Sequence, residues 1–449
     1  MNHKKKLLAL ALALVVSTGV FSACGSDETS SVASNPQVPQ QEGSEVSTVA
    51  ESKPEEHVKL VYSYWGNQTE QPAKAAIVQD FIKEHPNYEI EETYTDGGTY
   101  PTKLQTWFAS NTAPDVLATA NDVIYDFVGQ GVFEDLTPYM ERDGLLHDVW
   151  VDSMVKAFTY DGRIISAPHL SKPAAVVYNK DLFDKAGVAY PKQGWSEEDF
   201  LDTARQLTSG DGLTKVYGLN LTWMASELLR ALYTGSAYYD VDKRELHATD
   251  NEGFKHALEM FTGLVKDGVS PNSTEAQSIG GGFETGRFAM SFLLPSNIKG
   301  FDEVVGDTFD WEVVNLPVSD TYGQWQATLR ADGLAISSAS KNKDAAWEFV
   351  KWHTTDPEAQ AAAGDVGIPS LLSYTVSGDY LNAFPEGGHR YDKSVFIKAT
   401  ENAVGIQSAG VWGEINGILS ENYDKILYDN LSVDDALQNI QTGGEKLLK

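Results

Sequence analysis

Cysteine is almost absent: Cys24 is the only one in 449 residues. That excludes a disulfide framework and any cysteine–histidine metal cluster, so stability has to come from packing. The apolar stretch Leu7–Val16 is too short to span a membrane, which takes roughly 20 residues, and no later run is apolar enough to do so. Positive charge is scarce: 34 Lys and Arg stand against 64 Asp and Glu, a net charge of −30. A surface this acidic disfavours nucleic acid and anionic lipid headgroups as partners. There is no nucleophile elbow, no HExxH and no P-loop. The run Gly280-Gly281-Gly282 lacks the spacing of a dinucleotide loop. With so many acids, some pair of carboxylates always lies close enough to suggest a glycoside hydrolase, so that signal carries no weight. The expectation is a protein that is not an enzyme, with no cofactor and no metal.

What is present begins with the N-terminus. Met1–Lys6 is basic, Leu7–Val16 is apolar, and Ser17–Cys24 is rich in small residues. This is the layout of a secretory signal. Phe21-Ser22-Ala23-Cys24 resembles a bacterial lipobox, with Phe21 in place of the usual Leu. The resemblance implies cleavage before Cys24 and lipidation of its sulfur, with palmitate among the acyl chains. Gly25–Glu56 has no aromatic residue and is rich in Ser, Glu, Gln and Pro. Such a segment cannot bury enough apolar surface to offset its ordering entropy, so it reads as a disordered tether. Acyl chains would hold the body at a membrane surface without a spanning segment.

The body, about 58 to 449, is long enough for two or more domains. Val58–Trp65 alternates as a strand does, and Pro72–His85 reads as a helix. Tyr88–Thr95 is a second strand, Tyr100–Asn111 a helix, and Pro114–Thr119 a third strand. Asn121 and Asp122 are expected to cap a further helix. Alternation continues with strands near Val176, Val216, Ala289, Trp311 and Gly333 and helices between them. This pattern predicts an α/β fold with mostly parallel, covered sheets. The length favours two lobes over one large sheet.

Five segments carry a family resemblance: AAIVQDFIKEHPNYEI (75–90), NTAPDVLATANDVIYDFVGQGVFEDLTPYM (111–140), AVVYNKDLFDKAG (175–187), GGGFETGRFAMSF (280–292) and ADGLAISSASKNKDAAWEFVKW (331–352). In this order they resemble the extracellular solute-binding proteins of ABC sugar importers, the family of maltose-binding protein. The resemblance implies two α/β lobes of the periplasmic-binding-protein type II fold, closing on a ligand about a hinge. It implies the division 1–23 signal, 24–57 lipidated cysteine and tether, 58–170 plus 333–370 first lobe, and 171–332 plus 371–449 second lobe. The expected role is a carbohydrate-binding subunit that delivers a mono- or oligosaccharide to membrane permeases. The expected state is a monomer, lipid-anchored on the outer face of the cytoplasmic membrane of a Gram-positive cell. The alternatives are a binder of another solute (polyamine, peptide or phosphate ester) or a sugar-sensing co-receptor, and more remotely a secreted glycoside hydrolase.

Sugar sites combine aromatic rings with carboxylates and amides in a dry cleft. In open α/β sheets they lie beyond the carboxyl ends of strands. That rule selects Trp65 and Asn67 after the first strand, Thr99 and Tyr100 after the second, and Asn121 and Asp122 after the third. In the second lobe it selects Trp223 and Ser296; Asp332 lies at the return crossover, and Trp412 is a candidate because a glycine on each side in GVWGEI frees the backbone. Glu227, Glu284, Arg287, Asn297, Trp325 and Arg330 are weaker candidates, as are His169 and Lys172 beside the first crossover.

Overall fold

A computed structural model describes residues 57–66, 70–222, 224–233, 235–240, 243–364, 366–384, 387–404 and 411–448. Cys24, the signal and tether, Asn67 and Trp223 lie outside the described residues. The described residues fall within one unit beginning at Glu55.

Two larger sheets organise the body. Their strands, in chain order, are β1 (Val58–Gly66), β2 (Tyr88–Asp96), β3 (Val116–Ala120), β4 (Ala167–Ser171), β5 (Ala175–Asn179), β6 (Tyr217–Leu219), β7 (Phe288–Leu293), β8 (Trp311–Val314), β9 (Ala331–Ile336) and β10 (Ile368–Pro369). The first sheet has the order β10-β4-β9-β3-β1-β2, and the second β8-β5-β7-β6. β1 pairs in parallel with β2 and β3, and β7 in parallel with β6. The remaining pairs are antiparallel. The expected mostly parallel sheets are therefore mixed in their pairing, although most strands in each still point one way. Two of the three reversed strands, β5 and β9, have a simple origin. A chain that leaves one sheet at the carboxyl end of a strand enters the next from that same side, so its first strand there runs backwards. β5 follows β4 in this way, and β9 returns in this way.

β4 and β9 pair as far as Ser171 with Ala331, and Lys172 N–H donates to Arg330 O at 2.8 Å beyond them. The first sheet thus takes in Ser171, Ala331 and Asp332, which the sequence division gives to the second lobe. Pairing persists to the point where the chains diverge. Gly333 sits where β9 passes β4 with a register shift, and a Cβ there would lie 2.5 Å from Ser166 Oγ. Only glycine fits that approach.

Alternation decides what each face covers. Leu60, Tyr62 and Tyr64 of β1 pack with Phe81 of the helix Glu70–Glu84 and with Trp347, Phe349 and Val350 of the helix Lys343–Thr355. The opposite face of the sheet is covered by Tyr100 and Leu104 of the helix Tyr100–Ser110, with Phe127 and Phe158. The second sheet carries Leu219 and Phe292 into a core with Phe200, Phe254, Phe261 and Trp325. Burying each such ring contributes roughly 1.5–3 kcal/mol. The helix Glu197–Leu207 opens on a cap at Ser196, which with Asp199 forms a capping box.

The cap expected at Asn121 and Asp122 is not there. Residues 121–124 form a turn, and the next helix, Tyr125–Val128, starts at Ile124 without a side-chain cap. The Asn121 amide has another task, described below.

Candidate ligand-binding cleft

The ends of β1, β2 and β3 converge on the two crossover segments. There they enclose a cavity of about 210 Å³, lined by Trp65, Tyr100, Asn121, Asp122, Lys172, Arg330 and Asp332, with Gly97, Pro101, Ala120, Val123 and Ala331 between them. This is the strand-end position at which α/β sheets take ligands. Cavities of about 360 and 400 Å³ lie within the second lobe and share none of these residues, and one of about 350 Å³ beside Val151–Ala157 shares Asn121 alone.

Trp65 forms one wall. Its half-buried ring lies 5.0 Å from the Tyr100 ring at 44°, and the Lys74 ammonium sits 5.0 Å from its centroid. Tyr100 is fixed from below, because its hydroxyl donates to Ala118 O at 2.9 Å and to Ser63 O at 3.2 Å. Tyr100 therefore offers the cleft its ring alone. Asn121 is a clamp. Its Nδ2 donates to Leu329 O at 3.0 Å and its Oδ1 accepts from Ala331 N–H at 2.9 Å. Both ends of the amide are spent on the return crossover, so this candidate lines the cleft while holding its floor together.

The remaining floor is ionic. Lys172 Nζ lies 2.9 Å from Asp332 and 3.7 Å from Glu70. Burial opposes the Lys172 charge, but these carboxylates outweigh it and hold its pKa above the ordinary lysine value. Arg330 meets Glu227 of the helix Ala225–Leu229 at 3.2 Å, and Arg230 approaches Glu227 at 3.7 Å. Asp122 is exposed at the cavity wall, while protein crowds the other side of its carboxyl. Burial raises its pKa, Arg330 and Arg230 pull it back, and Asp332 adds to the rise.

The other candidates are placed elsewhere. Thr99 is exposed in the turn before Tyr100, its hydroxyl donating to Asp96 O. Ser296 is half-buried with its hydroxyl 3.2 Å from Asn297 Oδ1; Asn297 and Glu284 line the 400 Å³ cavity instead. Arg287 holds the carbonyls of Lys215 and Gly212. Trp325 is core, 1% exposed, and donates to Glu197 at 2.7 Å. His169 is buried, and burial followed by Lys74 and Lys172 pushes its pKa down to about 3, so it is neutral. Trp412 opens the helix Trp412–Tyr428. Sequence reasoning missed Lys74 and Arg230. Lys74 sits on a helix at a spacing that a solvent-facing charge would share, and Arg230 follows a short helix as many exposed arginines do, so no local signal marks them.

These strand ends, crossovers and lobes correspond to a known group. The family of bacterial extracellular solute-binding proteins matches residues 65–360. The chain belongs to that family. This solute-binding protein is 24% identical over 369 residues to a maltotriose-binding protein of Pyrococcus abyssi, across 80% of its own length and 77% of the relative's. Its fold is similar to that of an ABC substrate-binding protein from Listeria monocytogenes in complex with cycloalternan. The TM-score there is 0.70 and the identity 24%, covering 87% of this chain and 98% of the other. It is also similar to the sugar-binding protein MalE from Xanthomonas citri, with a TM-score of 0.76 and 19% identity, covering 87% and 97%. The two-lobed fold of the solute-binding protein is thereby established. No described helix is long and apolar enough to cross a membrane.

Proposed function

We propose that this solute-binding protein captures a neutral mono- or oligosaccharide in the cleft by closure of its lobes and delivers it to the permeases of an ABC importer. The observation that carries the reading is the charge balance of the cleft floor. Two carboxylates, Asp122 and Asp332, and two cations, Lys172 and Arg330, line the cavity, and Glu70 and Glu227 face those cations from just outside it. A phosphate ester or a polyamine would be met by an excess of the opposite sign, whereas sugar hydroxyls need matched donors and acceptors beside an apolar wall. Trp65 supplies that wall. The relative that binds maltotriose and the structure that holds cycloalternan point the same way.

On this reading the protein binds and releases its solute without changing it. Closure follows from differential affinity of the ligand for the closed state. Residues 1–23 are the signal, and Cys24 with residues 25–57 is the lipidated tether that keeps a monomer at the outer face of a Gram-positive membrane. Cys24→Ser would then move the protein from the membrane fraction to the medium.

The test is a thermal-shift screen of the purified protein against mono- and oligosaccharides, polyamines, peptides and phosphate esters. A ligand at 100 times its dissociation constant adds about 2.7 kcal/mol of stability. A shift within one sugar series supports the reading. A shift with a phosphate ester or polyamine, and with no sugar, overturns it.

A further inference from the structure

Lys74 lies in the second turn of the helix Glu70–Glu84, four residues after Glu70, so both side chains share the helix face turned to the cleft end of β1. It is 6% exposed. Its ammonium donates to Trp65 O at 2.7 Å and stands over the Trp65 ring. Among the described residues it has no carboxylate within ion-pair distance. Asp332 and Glu70 favour its charge only through their fields, and Lys172 opposes it. His169 and His353, packed nearby, are both buried and neutral.

A buried ammonium without a close counter-ion is costly. Burial accordingly lowers the Lys74 pKa below the ordinary value. Methionine would fill the same space without desolvating a charge, so packing alone does not call for lysine here. What lysine supplies is its pair of contacts to Trp65. The next carbonyl, Gly66 O, is also held, by the Tyr94 hydroxyl at 2.6 Å. On its remaining sides the indole meets Tyr100 and Gly97, where an added Cβ would come 3.3 Å from Trp65 Cδ1. The wall of the cleft is thus fixed at its backbone and at its ring, and the Lys74 ammonium touches both.

We propose that Lys74 is a positioning residue for the Trp65 wall: it clamps the end of β1 through the Trp65 carbonyl and holds the indole in place by cation–π attraction. This rests on the sugar-binding reading above and adds a residue to it. Lys74 does not touch the ligand; it acts through Trp65.

The experiment compares Lys74→Met in the otherwise native full chain and in a Trp65→Ala background, using the best sugar from the screen. A cation–π contact is worth about 0.5–2 kcal/mol, which corresponds to a roughly two- to thirtyfold weakening. That loss is expected in the native background and vanishes in the Trp65→Ala background. The melting temperature of Lys74→Met should stay level or rise, because a buried charge is removed. The Trp65 emission, obtained by subtracting the spectrum of a Trp65→Phe variant, should shift in Lys74→Met without any ligand. Unchanged affinity, an equal loss in both backgrounds, or a lowered melting temperature accompanying the loss would each overturn the proposal. If the native protein binds no sugar, the sugar reading fails, and the ligand-free emission alone decides whether Lys74 holds the ring. If Lys74→Met does not fold, Lys74→Gln takes its place with the same expectations.

Discussion

Arg330 Nη2 lies 3.2 Å from Glu227 Oε1, joining the return crossover to the helix Ala225–Leu229. The other oxygen of Glu227 accepts from Thr328 Oγ1 at 3.3 Å and faces Arg230. One carboxylate therefore gathers two arginines whose fields reach Asp122. Glu227→Gln should cost roughly 1–2 kcal/mol in thermal unfolding, the pair being only partly buried. It should also free the arginines to act on Asp122 and lower that residue's pKa.

Asp122 predicts an acid limit on binding. Its folded pKa is raised, so it gains a proton at a higher pH than an ordinary aspartate. On the sugar-binding reading, affinity should drop as pH falls through that raised value, because a protonated carboxyl loses acceptor capacity for hydroxyls. Isothermal titration across the acid range should show the drop in the native protein and a flat profile in Asp122→Asn, which binds about tenfold or more weakly at neutral pH. The stability effect has the opposite sign. A raised carboxyl pKa means that the charged form disfavours folding, so Asp122→Asn should melt no lower than the native protein at pH 7.

Two tryptophans should separate binding from folding. Trp65→Ala should weaken sugar binding at least tenfold with a small change in melting temperature. Trp325→Ala removes a core ring and the donor to Glu197, and should cost about 3–5 kcal/mol in denaturant unfolding. A Trp325→Ala variant that is fully stable and fails to bind would contradict this division.

His169 and His353 predict acid sensitivity of the fold. Both are buried and neutral, His169 with a pKa near 3 and His353 well below 6.5, the ordinary value. The unfolded chain protonates them first. Their contribution is fully present above pH 6.5 and is lost as pH falls below it, for His169 down to about 3. His169→Gln should flatten the pH dependence of the melting temperature across that window.

The strand ends at Trp65 and Asp122 are legible in the sequence because β1 and β3 are short, strongly patterned and followed at once by polar residues. The Ser196 capping box is legible for the same local reason. Asn121 misleads, since an Asn after a strand looks like a helix cap until the return crossover, some 210 residues later, is seen to take its amide. Trp325 misleads in another way, because a tryptophan beside a crossover has the same composition whether it faces a cleft or a core.

By itself the sequence determined the local elements, the α/β class and the family, because hydrophobic period, caps and segment order are properties of neighbouring residues. The mixed pairing of the sheets came only from the tertiary structure, because the side on which a crossing chain enters a sheet has no local signature. So did the balance of acids and bases at the cleft, and the burial of Lys74 against Trp65. Charge neutrality at a site is a sum over side chains far apart in the chain, and only folding brings them within range of one another.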